Sequence, residues 1–309
     1  MIISVSLNPA IDRTVVLDSL VAGDTNRVRQ SRTDPGGKGI NVARVLRELK
    51  APCLVVGFVA GTLGKFLEHT LEELGIAYDF THIRGQTRTN TTIVDVQHGT
   101  HTILSEPGPE SSFRHLVQVQ NKLREYVHPG DWVVFAGSLP PPLEADTYAR
   151  LIRLAKELGA HTVVDADGPA LAQSLRAQPH IVKQNRPELQ RLVGRELVGM
   201  EALAVGAEEA RSRGASTAVI TNGGEGTVAL APDGRWFAVP PSVKVVSAVG
   251  AGDAFVAGMV LELSRGNSLP EALRLGTAAA TASVITPGTE LCHFADVERF
   301  LPQVRVTPC

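Results

Sequence analysis

An α/β protein built on a mainly parallel sheet is the fold class this sequence predicts, and three observations carry it. Short β-rich runs recur, each ahead of an amphipathic helical stretch, and that alternation is the pattern of a parallel sheet with helices on both faces. A second texture, alternating and β-like, occupies residues 9–35 and 88–105 and predicts a small sheet inserted into the larger fold. With 309 residues, 43% of them hydrophobic, the chain can bury one large core or two unequal ones.

In chain order, Arg13-Thr14-Val15-Val16-Leu17 reads as a strand of the inserted sheet. A glycine cluster then opens a helix over 39–49, followed by a buried strand at 53–58 and a helix at 65–74. Thr91-Thr92-Ile93-Val94-Asp95-Val96 resumes the alternating texture and His98-Gly99-Thr100 supplies a turn, so the inserted strands are expected to be antiparallel. Strands at 131–135, 162–165 and 218–221 extend the main sheet, and 181–182 is strand-like. Helices are expected at 145–158, 188–193, 200–213, 251–264 and 270–284. The inserted sheet can cover an active site, join two copies of the chain, or simply extend the main sheet. No repeat or low-complexity linker interrupts the pattern, so one domain over 1–309 is expected.

Composition excludes several functions. Thirty basic against 32 acidic residues, with no basic block, leave no footprint for nucleic acid. Cys53, Cys292 and Cys309 are far apart and outside any CxxC spacing, which suggests neither disulfides nor zinc and fits a reducing cytoplasm. The N-terminus lacks a basic, cleavable leader, and no apolar run reaches the roughly 18 residues of a membrane span.

Chemistry concentrates in four segments. Val249-Gly250-Ala251-Gly252-Asp253-Ala254-Phe255 sets a lone carboxylate between a glycine turn and an apolar helical run. Unpaired amides and the helix dipole at such a start favour an anion, phosphate above all, and Asp253 can deprotonate a hydroxyl beside it or merely cap the helix. Asp34-Pro35-Gly36-Gly37-Lys38-Gly39-Ile40-Asn41 lets backbone approach a small polar ligand, or is a turn with a solvated Lys38; neither segment fits a P-loop or GxGxxG. In Asn185-Arg186-Pro187-Glu188, Asn185 and Glu188 are a helix cap with a first-turn dipole partner, or polar ligands of a magnesium ion that keeps its own waters. Thr221-Asn222-Gly223-Gly224-Glu225-Gly226 leaves a strand end, where open α/β sheets bind ligands, and reads equally as a hairpin turn.

Together these segments resemble the PfkB carbohydrate kinase family. The resemblance runs from Asn8-Pro9-Ala10-Ile11-Asp12 through Gly36 to Ala43, Thr87-Arg88-Thr89-Asn90, Gly137-Ser138-Leu139-Pro140 and Asn185 to Glu188, ending at Gly250 to Asp253 and Gly288-Thr289. It implies a ribokinase-like three-layer α/β/α sandwich with a small β-sheet lid through which two copies pair. The implied activity is phosphorylation of a ketohexose phosphate by ATP with magnesium, yielding a bisphosphate. Fructose 1-phosphate is the first expectation, tagatose 6-phosphate or fructose 6-phosphate the next. A kinase of unphosphorylated sugars or nucleosides would give Lys38 and Arg88 no counter-charge, and a non-catalytic sensor would need no base at Asp253.

By the same resemblance, Asp253 would be the general base, and after the turn at Gly250 the amides of Ala251, Gly252 and Asp253 would form the anion hole. Asp12, Gly37, Asn41 and Asn90 would contact the sugar, and Lys38, Arg88 and Ser138 its phosphate. Lys183, Asn185, Thr221, Gly223 and Gly226 would meet the nucleotide, with Thr277 and Thr281 near adenine. Glu188, Asn185 and Asp165 would face the magnesium water shell, and Ser247, Val249, Thr286 and Gly288 would hold a monovalent cation such as potassium. The family commonly reads Lys-Pro-Asn where this chain has Lys183-Gln184-Asn185, and its Asn-x-Lys is here Asn90-Thr91-Thr92, which removes a cation.

Overall fold

The computed structural model describes residues 1–309. The chain enters the core as β1 (Ile2–Ser6), leaves it as the hairpin β2 (Ala10–Leu17) and β3 (Gln30–Gly36), and returns through α1 (Lys38–Glu48) and β4 (Cys53–Ala60). After α2 (Gly61–Glu73) and β5 (Ala77–Ile83), a second hairpin leaves as β6 (Arg88–Asp95) and β7 (Thr100–Ser105). Next come α3 (Phe113–Tyr126), β8 (Trp132–Ala136), α4 (Thr147–Glu157), β9 (His161–Asp165), α5 (Gly168–Leu175), β10 (Ile181–Asn185), α6 (Arg186–Val193), α7 (Gly199–Ser212) and β11 (Thr217–Thr221). The chain ends with β12 (Thr227–Ala231), β13 (Gly234–Val239), α8 (Ala251–Ser264), α9 (Leu269–Val284), α10 (Phe294–Phe300) and β14 (Arg305–Pro308).

Ten strands form the main sheet in the order β14-β13-β12-β11-β10-β9-β8-β1-β4-β5. From β5 to β11 every pairing is parallel, and β12, β13 and β14 add an antiparallel edge. The expected α/β class therefore holds. Alternate strand residues face opposite ways: Ile3, Val133, Val164, Val182 and Ile220 pack beneath α3 to α7, while Ile2, Val134, Val163, Ile181 and Val219 pack beneath α1, α8, α9 and α10. Both faces are covered, which is why the parallel strands read as continuous apolar runs. On the second face, α8 and α9 meet at Gly258 and Gly276, where a Cβ on Gly258 would lie 2.8 Å from the Leu275 carbonyl oxygen.

The smaller sheet has the order β3-β2-β6-β7. Its strands were expected to be antiparallel throughout; the structure corrects this, because β2 and β6 pair in parallel while each hairpin is antiparallel within itself. The outgoing strands follow β1 and β5, which point the same way in the main sheet, so both hairpins leave in one direction and meet along their first arms. Alternation in sequence reports strand character but not the partner's direction. Several helices begin earlier than expected, α2 at Gly61 and α1 at Lys38, whereas α4 begins later, at Thr147.

Candidate active site

Parallel strands deliver their carboxyl ends to one edge of the sheet, and strand order reverses beside β1, whose neighbours are β8 and β4. Such a reversal opens a crevice between diverging connections. Asn8, Ser138, Asp165, Asn185 and Thr221 all lie at or just beyond strand ends on this edge.

The start of α8 is built for an anion. Gly250 caps it at φ 78°, a left-handed conformation that glycine adopts without Cβ strain, and no side chain caps the helix. The amides of Gly252 and Asp253 have no backbone acceptor, because the first full helical bond runs from Ala254 N to the Gly250 carbonyl at 2.9 Å. The rest of α8 is apolar from Ala254 to Leu261 and buried, which fixes the first turn rigidly. Asp253 itself is 7% exposed. Burial, reinforced by the charge of Asp165, pushes its carboxyl up to about 7, against the opposing pull of Lys38 and a hydrogen bond from Asn41. That bond, from Asn41 Nδ2 to Asp253 Oδ2, is 2.8 Å.

Asp165, 1% exposed, is the electrostatic centre of the site. Lys183 Nζ donates to its Oδ2 at 3.0 Å and Lys38 Nζ to its Oδ1 at 2.6 Å. Burial opposes its ionisation, but Lys183 and Lys38 outweigh burial and hold it below the ordinary carboxylate value. Lys38 also reaches Glu188 Oε1 at 3.2 Å. Burial pulls the Lys38 ammonium down, yet Asp165, Glu188 and Asp253 leave it above its usual range, so it is charged at any physiological pH. A Cβ on Gly252 would lie 2.7 Å from Lys183 Nζ, so the lysine sits directly against the α8 turn. Lys38 is thus shared between two carboxylates rather than solvated.

Asn185 and Glu188 form a reciprocal capping box on α6: Glu188 N donates to Asn185 Oδ1 at 2.9 Å, and Asn185 N to Glu188 Oε2 at 2.8 Å. The capping reading is realised, and it leaves Glu188 Oε1 facing Lys38 and the crevice.

On the other side of Lys38, Asn90 Nδ2 donates to Asp12 Oδ1 at 2.9 Å, and Ser105 Oγ turns the Asn90 amide by donating to its oxygen at 2.9 Å. Burial raises Asp12 above the ordinary carboxylate value, against the Asn90 bond and a second bond from the Gly37 amide. Arg88 donates through Nε to the Asn8 carbonyl at 3.2 Å and through Nη1 to the Glu106 carbonyl at 3.0 Å. Asn8 Nδ2 donates to Ser138 Oγ at 3.1 Å, joining the ends of β1 and β8. The smaller sheet therefore supplies Asp12, Arg88 and Asn90, and the start of α8 supplies Asp253.

Thr221 ends β11, and Gly223 to Gly226 form a tight turn into antiparallel β12, closed by Gly226 N to the Gly223 carbonyl at 3.1 Å; the hairpin reading is realised there. Thr277 and Thr281 are buried on α9, with Thr281 Oγ1 bonded to the Thr277 carbonyl at 2.7 Å. Ser247 and Gly288 are brought together by a 2.8 Å bond from Ser247 Oγ to the Gly288 carbonyl, Val249 N reaches Ser247 Oγ at 3.3 Å, and Thr286 Oγ1 donates to the Glu290 carbonyl at 2.6 Å. Roles for Asn8, Asp34, Arg44 and Ser105 escaped sequence reading. For Arg44 a signal existed: it lies three residues after Asn41, on the same helix face.

One proton acceptor beside two free amides, in a crevice lined by lysine and arginine, suits transfer of a charged group to a hydroxyl, and fold and site together define an α/β phosphotransferase. The chain belongs to the pfkB family of carbohydrate kinases, which it matches over residues 5–294. It is similar to the 1-phosphofructokinase of Rhodobacter capsulatus, 36% identical over 94% of this chain and 92% of that one. It is also similar to the 6-phosphofructokinase isozyme 2 of Mycobacterium tuberculosis, 33% identical over 97% of this chain and 88% of that one. Among solved structures, phosphofructokinase-2 of Escherichia coli in complex with potassium superposes with a TM-score of 0.92 at 29% identity, covering 98% of each chain. No helix is long and apolar enough to cross a membrane.

Proposed function

We propose that this protein transfers the γ-phosphoryl group of ATP to a phosphorylated ketohexose, fructose 1-phosphate first, giving a bisphosphate. The observation that carries the reading is Asp253 at the buried start of α8, with two unpartnered amides beside it and Asn41 bonded to one carboxylate oxygen. In this reading the free oxygen of Asp253 accepts the proton of the acceptor hydroxyl, and a pKa of about 7 suits a base working near neutrality. The amides of Gly252 and Asp253 face the oxygens of the phosphoryl group in flight, and Lys183, held against the same turn, adds positive charge. Asp12 and Asn90 bind sugar hydroxyls; Arg88, with Lys38 and Ser138, meets the phosphate already on the sugar. The 1-phosphofructokinase name of relatives such as the Rhodobacter protein supports fructose 1-phosphate.

Asp165, Asn185 and Glu188 form an all-oxygen donor set, which suits a hard cation that keeps its own waters. They would hold magnesium in that manner, and the bound ion supplies charge neutralisation on the nucleotide phosphates. Ser247, Val249, Thr286 and Gly288 would hold potassium, as the potassium complex of the Escherichia coli neighbour suggests. Two copies would pair through the smaller sheet, whose edge strand β7 is exposed at every residue, Ile103 and Leu104 included.

Steady-state assays with fructose 1-phosphate, fructose 6-phosphate, tagatose 6-phosphate and free fructose test the reading. The highest kcat/KM is expected with fructose 1-phosphate. Equal turnover of free fructose would remove the phosphate cradle, and a preference for either 6-phosphate would reassign the substrate.

A further inference from the structure

An amide side chain can present a neighbour with its oxygen or its nitrogen, and only the nitrogen end holds an ionised carboxylate. Asn41 meets Asp253 with Nδ2, so something must fix the amide in that sense. One helical turn along α1, the Arg44 guanidinium donates through Nη1 to Asn41 Oδ1 at 3.2 Å and to the Pro35 carbonyl at 2.8 Å. A guanidinium carries five donors and no acceptor, so only the amide oxygen can face it, and the nitrogen must then face Asp253. Arg44 is itself anchored: its Nη2 lies 3.7 Å from Asp34 Oδ1, and Asp34 is pinned by Thr289 Oγ1 at 2.5 Å and Arg32 Nε at 2.8 Å. The guanidinium thus stands behind Asn41, tied to β3 and to the segment after α9. The same logic recurs on the sugar side, where Ser105 turns Asn90 toward Asp12.

We propose that Arg44 is a positioning residue for phosphoryl transfer: by setting the sense of the Asn41 amide it aims the Asp253 carboxylate at the acceptor hydroxyl. This rests on the kinase reading above. The polar contacts of Arg44 go to Asn41, Pro35 and Asp34 and reach Asp253 only through Asn41, so its loss should fall on the chemical step rather than on binding.

The test compares Arg44→Met and Arg44→Lys, each alone and with Asn41→Ala. Arg44→Met should lower kcat at least about tenfold while KM for sugar phosphate and ATP stays within about twofold, because a misaimed base costs rate without uniform binding. Arg44→Lys keeps a donor and should recover most of the loss. In the Asn41→Ala background Arg44→Met should change kcat by less than about twofold, since both residues act through one contact. An unchanged kcat in folded Arg44→Met, or losses that simply multiply with Asn41→Ala, would overturn the proposal. If Arg44→Met does not fold, Arg44→Lys against Arg44→Gln carries the comparison, because glutamine can offer an oxygen that reverses the Asn41 amide. The lysine variant should then be about tenfold faster, and equal rates refute the idea. Absence of ketohexose phosphate kinase activity in the unaltered protein overturns both readings; an active protein insensitive to Arg44 overturns only this one.

Discussion

Replacing Asp253 with asparagine separates its chemical role from its cost to the fold. General bases contribute roughly 10²- to 10⁴-fold to turnover, so Asp253→Asn should lower kcat at least about a hundredfold, or roughly 2.7 kcal/mol in activation free energy. Shape is nearly conserved and the amides of the α8 turn remain, so ATP affinity should change little. In the unaltered enzyme, kcat/KM should rise with pH through about 7, because only the ionised carboxylate accepts a proton.

Stability should move the other way. The carboxyl lies at about 7 in the folded protein against an ordinary value of 3.8, chiefly because it is buried. Below pH 4 the group is protonated in both states and contributes nothing. As pH rises toward 7 the unfolded chain ionises freely while the folded one resists, so the penalty grows to roughly 4 kcal/mol and stays there above 7. Asparagine escapes that penalty, although its own amide must then satisfy Asn41, so a gain of about 1–3 kcal/mol at pH 8 is expected, shrinking at pH 5. A coupled assay of ADP release, calorimetric titration with ATP, and thermal melts at the two pH values measure all three quantities. Near-normal turnover would remove Asp253 from the mechanism, and a Tm that falls at pH 8 would show that the carboxylate is not strained where it sits.

Three further outcomes follow from other residues. Arg88→Met should raise KM for the phosphorylated substrate at least about tenfold and leave any turnover of free fructose unchanged, the loss expected for one charge-assisted contact; an equal effect on both would assign Arg88 a purely structural role. Gln184 is fully buried and neither end of its amide has a protein partner, so Gln184→Met should raise stability by about 1–2 kcal/mol in denaturant titration, and a loss of that size would contradict the reasoning. Pairing of two copies through β7 predicts that Ile103→Asp combined with Leu104→Asp lowers the sedimentation coefficient from a dimer's to a monomer's, and unchanged sedimentation would refute an interface on β7.

What the sequence made legible was mostly local. The bounds of α8 could be read because a glycine turn meets an unbroken apolar run, and the cap of α6 because Asn185 and Glu188 stand at capping-box spacing with Pro187 between them. The edge strands β13 and β14 went unread, although Pro232-Asp233-Gly234 is an ordinary turn signal between two strands. The parallel meeting of β2 and β6 was not legible at all, since period-two alternation is the same for either direction.

Charge partners were the least legible part of the site. Lys38 looked free in sequence because its partners, Asp165 and Glu188, are 127 and 150 residues away. Once the sheet brings them together, the two buried carboxylates carry as much charge as the two lysines, so the crevice is near neutrality rather than a standing basic pocket. An exposed lysine would attract any phosphate, whereas Lys38 is held by two acids until a ligand competes for it. Arg88, whose hydrogen bonds go to uncharged groups, is therefore the freer of the two cations, and under the proposed function the one better placed to meet an incoming sugar phosphate. Its substitution should then weaken phosphate capture more than the corresponding change at Lys38, which also unbalances Asp165 and Glu188 and so lowers stability together with activity.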